Sequence, residues 1–143
     1  MTAGPARTLR ACDRLDDAEL VARFEALAIA PADFGHREHV RIASAMLRGG
    51  DFGDAAVRFR RALRRFAEAA GARDRFHETL TWAYLAVIAR RMADDPAATT
   101  SHALVARHPD LLDHRGGAVA RHYDVAAITA SPVARAVFVL PER

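Results

Sequence analysis

Apolar residues recur at steps of three and four along almost the whole chain, and this spacing restricts the fold more than any other feature. Steps of three and four place side chains on one face of an α-helix, whereas strands alternate with a period of two. Glycine and proline separate these segments, as they do at helix ends. The pattern therefore predicts an all-α fold. The first segment has its apolar residues at Leu20, Val21, Phe24, Leu27 and Ala28.

We expect four long helices, each of which follows a turn or a capping residue and ends near a glycine or proline. Shorter helices are expected up to Arg107 and over about residues 132–138, where Ser131-Pro132 is typical of a helix start. The segment from Val137 to Leu140 is alternatively a short strand without an obvious partner. The first long helix is expected from Asp13 or Asp16 to before Pro31, and the second from about His36 to about Leu47. The third is expected from Asp51 or Asp54 to Ala70, and the fourth from near Asp74 to about Ala93.

These elements predict a single-domain bundle of four main helices plus short C-terminal helices over residues 13–143. Residues 1–12 lack a clean pattern and are expected to form a loose N-terminal tail. A chain of 143 residues can bury enough apolar surface to fold without disulfides. The single cysteine, Cys12, has no intramolecular partner, and a reducing, cytoplasmic setting is the simplest interpretation. No apolar run approaches the roughly 20 residues of a membrane-spanning helix, so we expect no membrane insertion.

The basic residues are all arginine, and five of them cluster on the expected third helix. The formal net charge is only +3, and a nucleic-acid interface usually combines a concentrated basic face with aromatic stacking groups. We therefore favour a solvated helix face and do not expect a nucleic-acid partner. An anionic partner or a second subunit is the alternative for this face. The cluster consists of Arg58, Arg60, Arg61, Arg64 and Arg65.

Three of the seven histidines are placed so that they can converge. His36 and His39 are three residues apart at the start of the second helix, so their rings lie on one face. His77 lies at the start of the fourth helix. Helices two and four are parallel in an up-down bundle, which would bring all three rings to one end of the molecule.

Three neutral imidazoles form a good ligand set for zinc, iron or copper and leave a position open for water or substrate. His36, His39 and His77 are therefore candidate metal ligands. Glu78 and Tyr84 are candidate catalytic residues. Glu78 would orient an imidazole or move a proton, and the hydroxyl of Tyr84, two turns beyond His77 on the same face, would contact a ligand; the alternative for Tyr84 is burial as a core aromatic residue. Two alternatives stay open, namely a metal-free polar pocket built from the same residues, and purely structural roles such as helix capping.

Four strings in this chain resemble the pattern of a family of small, mostly uncharacterised bacterial proteins that are all-helical. The resemblance covers nearly the whole chain after about residue 15. It implies that His36, His39, His77 and Glu78 belong together, but it implies no reaction. A Tyr-Tyr pair of that pattern is replaced by His122-Tyr123 in this chain. The strings are Phe-x-His-x-x-His-Val-Arg at 34–41, Phe-His-Glu-Thr at 76–79, His-Pro-Asp-Leu-Leu at 108–112 and Phe-Val-x-Pro at 138–141.

Two classes of function follow from these observations. The first is a metal-dependent enzyme that acts on a small molecule, with a divalent transition metal held by the three histidines. The second is a metal-free helical binding or regulatory module that uses the arginine-rich helix. A homodimer is compatible with both. The remaining histidines at 102, 108, 114 and 122 are expected to be surface or capping residues.

Overall fold

Seven α-helices and five short 3-10 turns account for the regular structure of residues 10–142, the part of the chain that the computed structural model describes. This range contains no strand, so the all-α prediction is confirmed there and the strand alternative for Val137 to Leu140 is wrong. None of these helices combines the length and apolar character needed to cross a membrane. The helices are α1 Asp17–Glu25, α2 His36–Arg48, α3 Phe52–Ala69, α4 Glu78–Asp94, α5 Ser101–Arg107, α6 Val125–Ala130 and α7 Pro132–Ala136.

Short polar side chains begin most of these helices, as the sequence predicts. The Asp16 carboxylate accepts a hydrogen bond from the Glu19 amide at 2.8 Å, and Asp51 accepts one from the Asp54 amide at 3.1 Å. Each bond satisfies one of the amides that a helix N-terminus leaves without a partner. At the other end of α3, Gly71 adopts a φ of 69°, a left-handed conformation that glycine tolerates best.

Three helix boundaries differ from the prediction. Helix α1 ends at Glu25 because Leu27, with a φ of 58°, turns the chain before Pro31. Helix α4 starts at Glu78, since residues 73–75 form a separate 3-10 turn. Helix α7 ends at Ala136 rather than near residue 138, because the backbone becomes extended at Val137.

Helix α2 is the central element, since it packs against α1, α3, α4 and α5. Helix α4 also packs against α7 and the 3-10 turn Val119–Arg121. The Thr79 hydroxyl attaches the C-terminal segment to α4: it lies 2.7 Å from the Ala134 carbonyl oxygen and accepts a bond from the Val139 amide at 3.1 Å. The four-helix bundle stays a prediction, because α5 and α7 complete the packing around α2 and α4.

A stack of phenylalanine rings fills the core between α1, α3 and the turn before α2. The Phe24 and Phe34 rings lie 5.4 Å apart, and Phe66 lies 4.7 Å from Phe34. Phe59 contacts Phe24 at 6.1 Å. These distances are typical of favourable aromatic pairs, which add to the free energy gained by burying the rings. The stack therefore fixes Phe34, and with it the chain just before His36.

Arg41 is the largest fully buried side chain in the described part of the protein, with an exposed fraction of 0%. Its guanidinium donates to the Cys12 carbonyl at 2.8 Å, to the Leu15 carbonyl at 2.9 Å and to the Ser101 hydroxyl at 2.9 Å. Asp17 lies 3.8 Å away and supplies the compensating charge. Arg41 thus joins α2 to the N-terminal segment, α1 and α5.

The folded domain begins closer to the N-terminus than we expected. Cys12 is buried, with 3% exposed, and residues 11–14 form a 3-10 turn. The carbonyl bond to Arg41 holds Cys12 against α2. Residues 10–12 therefore belong to the folded domain and not to a tail, while residues 1–9 lie outside the described range.

We expect Arg41→Met to lower the free energy of unfolding by about 3–5 kcal/mol, because it removes the counter-charge of Asp17 and a charged donor to the Cys12 and Leu15 carbonyls. Arg90→Met is the matched control. The Arg90 side chain is 78% exposed and paired only with Asp94 on the surface, so we expect a change within about 0.5 kcal/mol. Urea unfolding followed by circular dichroism measures both. Equal losses in the two variants would show that Arg41 has no special structural role.

Candidate ligand pocket

The side chains of His36, His39 and Tyr84 meet at one wall of a cavity of about 560 Å³. The His36 and His39 rings are 5.8 Å apart between centroids, and Tyr84 lies 4.8 Å from His36 and 5.9 Å from His39. We call this cavity the histidine pocket. Its other walls are largely apolar and include Phe34, Leu63, Phe66, Phe76 and Leu80. A cavity of this size, with an apolar lining and a few polar groups, is typical of small-molecule sites.

The start of α2 is held rigidly behind the histidine pair. The Glu38 carboxylate accepts a bond from the Gly35 amide at 3.1 Å and forms an ion pair with Arg10 at 2.7 Å. The Glu38 side chain is only 1% exposed, whereas the Arg10 side chain is 46% exposed. A Cβ atom on Gly35 would lie 2.5 Å from the Arg10 guanidinium, so a larger residue there would displace the Arg10 side chain. His36 and His39 therefore have a fixed position on α2.

His77 lies beside the pocket but has both ring nitrogens occupied. Its Nδ1 accepts a bond from the Leu80 amide at 3.1 Å, which makes His77 the N-cap of α4. A lone pair on Nδ1 requires the proton to sit on Nε2, which lies 2.8 Å from the Ile128 carbonyl oxygen and donates to it. The ring is neutral and offers no lone pair to a metal. His77 was expected within the fourth helix as a metal ligand, and its contacts here are those of a structural cap.

His36 is also engaged by the backbone. Its Nε2 lies 2.9 Å from the Leu111 carbonyl oxygen and donates to it. Burial lowers the pKa of His36 and outweighs the opposite effect of that bond, so the ring is neutral near pH 7. Within residues 10–142, no group of three histidine, cysteine or acidic side chains is arranged to hold a metal ion. The three-histidine metal site stays a prediction: forming it would require His77 to break one of its bonds, whereas His36 keeps a lone pair on Nδ1.

Glu78 faces away from the histidine pocket. Its carboxylate accepts bonds from Arg60 at 2.7 Å and from the Trp82 indole at 2.9 Å. Burial raises the pKa of Glu78, but the bonds from Arg60 and Trp82 outweigh it, and the net pKa lies below its ordinary value. The role of Glu78 in orienting an imidazole or moving protons stays a prediction, and its side chain does not line the pocket in this structure.

His39 Nε2 and the Tyr84 hydroxyl are buried and have no hydrogen-bond partner among the described residues. Desolvation lowers the pKa of His39 to about 3, with the neighbouring His36 adding to the effect. Desolvation also raises the pKa of Tyr84 to about 12. Both side chains are therefore uncharged near pH 7. A buried polar atom without a partner is costly, and such atoms next to a cavity indicate where a ligand or water binds.

Two residues at the edge of the pocket were not predicted. His114 is exposed, and its ring lies 5.7 Å from His36. Arg75 belongs to the short turn between α3 and α4 and also lines the pocket. Neither residue lies on a helix with the histidine pair, so no regular spacing in the sequence links them to it. The turn at Asp113, which accepts bonds from the amides of residues 115 and 116, places His114.

A second cavity, of about 410 Å³, lies between α4 and the C-terminal segment. Arg91 binds Asp110 through two hydrogen bonds there, the Tyr123 hydroxyl donates to the Val139 carbonyl at 2.8 Å, and His122 is exposed to solvent. We regard the histidine pocket as the better candidate site, because it contains polar atoms that are free to bind.

The arginine-rich face of α3 is partly neutralised within the molecule. Arg58 forms an ion pair with Glu25, and Arg60 pairs with Glu78. The groove beside Arg61 and Arg65 also contains carboxylates, those of Glu25 and Asp54. These pairs reduce the positive charge available to an anionic partner. The alternative function that uses this face stays a prediction.

No family model, curated protein or solved structure matches the chain. The resemblance to the bacterial family described above therefore stays a prediction.

The depressed pKa of His39 predicts that acid destabilises the fold. Between about pH 6.5 and pH 4.5 the unfolded chain binds a proton at His39 that the folded state, with a pKa of about 3, does not bind. We expect the free energy of unfolding to fall in this window by at most about 1.4 kcal/mol per pH unit from this one site. His36 contributes with the same sign. Urea titrations at several pH values measure the slope.

His39→Gln should make that slope smaller, because glutamine does not titrate. His122→Gln is the matched control, since His122 is exposed and lies outside the histidine pocket. We expect the control to keep the wild-type slope. A slope that is the same in all three proteins would contradict the assignment of a depressed pKa to His39.

Proposed function

We propose that this protein binds a small molecule in the histidine pocket and holds an uncharged polar group of that molecule between His39 Nε2 and the Tyr84 hydroxyl. The observation that carries the proposal is that these two neighbouring polar groups are buried at the cavity wall and have no hydrogen-bond partner within residues 10–142. A bound hydroxyl, carbonyl or amide would supply the missing hydrogen bonds. The phenylalanine and leucine side chains around the pocket would bury an apolar or aromatic body.

The proposed role of the two residues is binding rather than proton transfer. General acid–base catalysis works best when the pKa of the catalytic group is near the working pH. The pKa of His39 is about 3 and that of Tyr84 about 12. Both values lie several pH units from neutral pH, in the direction that keeps each side chain uncharged. His39 is a weak base and Tyr84 a weak acid under these conditions. Tyr84, expected as a catalytic residue, is therefore assigned to ligand contact.

The same contacts favour a metal-free pocket over the three-histidine metal centre. A metal ligand must present a lone pair, and the bonds of His77 to Leu80 and Ile128 use both of its nitrogens. The bond from His36 Nε2 to Leu111 leaves that ring only Nδ1. We therefore assign His36 and His77 to shaping the wall, and His39 and Tyr84 to contacting the ligand.

Neutral probes that differ by one hydroxyl test this assignment. We expect 4-ethylphenol to bind more tightly than ethylbenzene, and Tyr84→Phe to reduce the affinity for 4-ethylphenol about 3- to 10-fold, the effect of losing one hydrogen bond of about 0.5–1.5 kcal/mol. The affinity for ethylbenzene should change little. Titration followed by the NMR signals of the His39 imidazole measures affinity and location together.

Tyr123→Phe is the matched control for this experiment. It removes a hydroxyl that bonds the Val139 carbonyl, outside the histidine pocket, and should leave both affinities unchanged. If 4-ethylphenol binds without moving the His39 signals, or binds the Tyr84 variant as tightly as the wild type, the proposal is wrong.

Metal analysis tests the competing prediction directly. We expect protein purified without a histidine tag, then incubated with zinc, iron(II) or copper and desalted, to retain well below one equivalent of metal. Elemental analysis of the wild type beside His36→Ala and His77→Ala gives the answer. Stoichiometric metal in the wild type that is lost in both folded variants would overturn the metal-free assignment.

A further inference from the structure

The edge of the histidine pocket carries a positive charge that its interior lacks. Arg75 lines the pocket and is exposed, and its guanidinium forms no hydrogen bond or ion pair with residues 10–142. The neighbouring Arg73 has Glu68 at 3.8 Å, so the two arginines of this turn differ in what they face. Arg75 is therefore available to a ligand at the pocket edge.

No aspartate or glutamate within the described part of the chain lines the pocket. Helices α2 and α4 both have their N-terminal ends at its wall, through His36 and His77. A helix N-terminus carries a partial positive charge, which favours anions nearby and disfavours cations. Glu38 and Glu78 in the first turns of these helices offset part of that charge, and Asp113 acts on His36 and Tyr84, so the positive charge at the pocket edge comes mainly from Arg75.

The turn that carries Arg75 is anchored on two sides. Arg135 from α7 donates to the Asp74 carbonyl oxygen. The Phe76 ring lies 5.7 Å from the Arg60 guanidinium carbon and 5.6 Å from that of Arg64, distances within the range of cation–π contacts. These contacts hold the backbone of residue 75 beside the opening. A ligand group therefore meets Arg75 at a defined place.

From this arrangement we propose that the ligand is an amphipathic monocarboxylic acid. Its carboxylate lies at the pocket edge against Arg75, its apolar or aromatic body fills the cavity, and an uncharged polar group at its far end binds His39 and Tyr84. This inference rests on the proposed function and adds the chemical class of the ligand and its orientation. The reverse orientation would bury the carboxylate beside two uncharged side chains, where it loses its hydration without gaining a counter-charge.

A pair of probes that differ only in charge tests the inference. We use 3-(4-hydroxyphenyl)propanoate and 3-(4-hydroxyphenyl)propanamide at neutral pH, with affinities from calorimetry and location from the His39 imidazole signals. We expect Arg75→Gln to weaken the carboxylate about 3- to 10-fold, as suits an exposed charge-assisted bond, and to leave the amide unchanged. Higher salt should weaken only the carboxylate, and mainly in the wild type.

Arg73→Gln is the matched control, because it removes the same charge only two residues from Arg75. The Arg73 side chain does not line the pocket. The substitution should leave both affinities unchanged. An Arg75→Gln effect that is equal for the two probes, or no greater than that of Arg73→Gln, would overturn the proposed carboxylate contact.

The Tyr84→Phe variant separates the failure of this inference from failure of the proposed function. If Tyr84→Phe weakens both probes while Arg75→Gln weakens neither, the pocket binds the polar group as proposed and the carboxylate assignment is wrong. If 3-phenylpropanoate, which lacks the hydroxyl, binds more weakly in Tyr84→Phe and unchanged in Arg75→Gln, the carboxylate lies at His39 and the orientation is wrong. If neither hydroxylated probe reaches the His39 signals, both proposals are wrong.

Discussion

The buried guanidinium of Arg41 is the interaction on which the rest of this structure depends. Desolvating an arginine is expensive, and the cost is offset only when its donors meet well-placed acceptors and a counter-charge. Those acceptors come from the N-terminal segment and α5, and the charge comes from α1. The hydrogen bonds and the ion pair of Arg41 therefore form together only when these elements surround α2 in one particular arrangement. A purely apolar side chain at this position would bury well in many arrangements and would select none of them.

The first turns of α2 use two opposite faces for two purposes. Glu38 and Arg41, three residues apart, point towards the N-terminal segment, where Arg10 and Asp17 pair with them. At 100° per residue, His36 and His39 lie on nearly the opposite side, facing the cavity. The ion pairs on one face hold the helix in place, and this fixes the imidazole rings on the other. Ion pairs engage Glu38 and Arg41 behind the pocket wall, whereas His39 Nε2 and the Tyr84 hydroxyl have no partner among the described residues.

Most of the helices could be predicted from the sequence, because their apolar periodicity and capping residues are local signals. The convergence of His36 with His39 was also predictable from the i,i+3 spacing. The role of His77 was not, since the same position at a helix start suits a metal ligand and an N-cap equally well. The choice depends on the Ile128 carbonyl, 51 residues away, which occupies the second nitrogen. Arg75 and His114 were missed for a similar reason, as turns bring them to the pocket without any periodicity.

The strings that resemble the bacterial family contribute largely to packing in this structure. In the Phe-His-Glu-Thr string, His77 caps α4, Glu78 binds Arg60, and Thr79 holds the C-terminal segment. In the His-Pro-Asp-Leu-Leu string, the Leu111 carbonyl occupies His36 Nε2. These contacts surround the pocket and leave His39, of all the predicted metal ligands, with a buried nitrogen that has no partner.

Placing His39 Nε2 and the Tyr84 hydroxyl at the cavity wall costs free energy, because each group leaves bulk water on folding and has no partner among the described residues. A leucine and a phenylalanine at these positions would pack at the same wall without that cost. The two polar groups are therefore better explained by a ligand than by the stability of the fold. A bound molecule that completes their hydrogen bonds recovers part of the cost on binding, which links the affinity of the pocket to the stability of the whole protein.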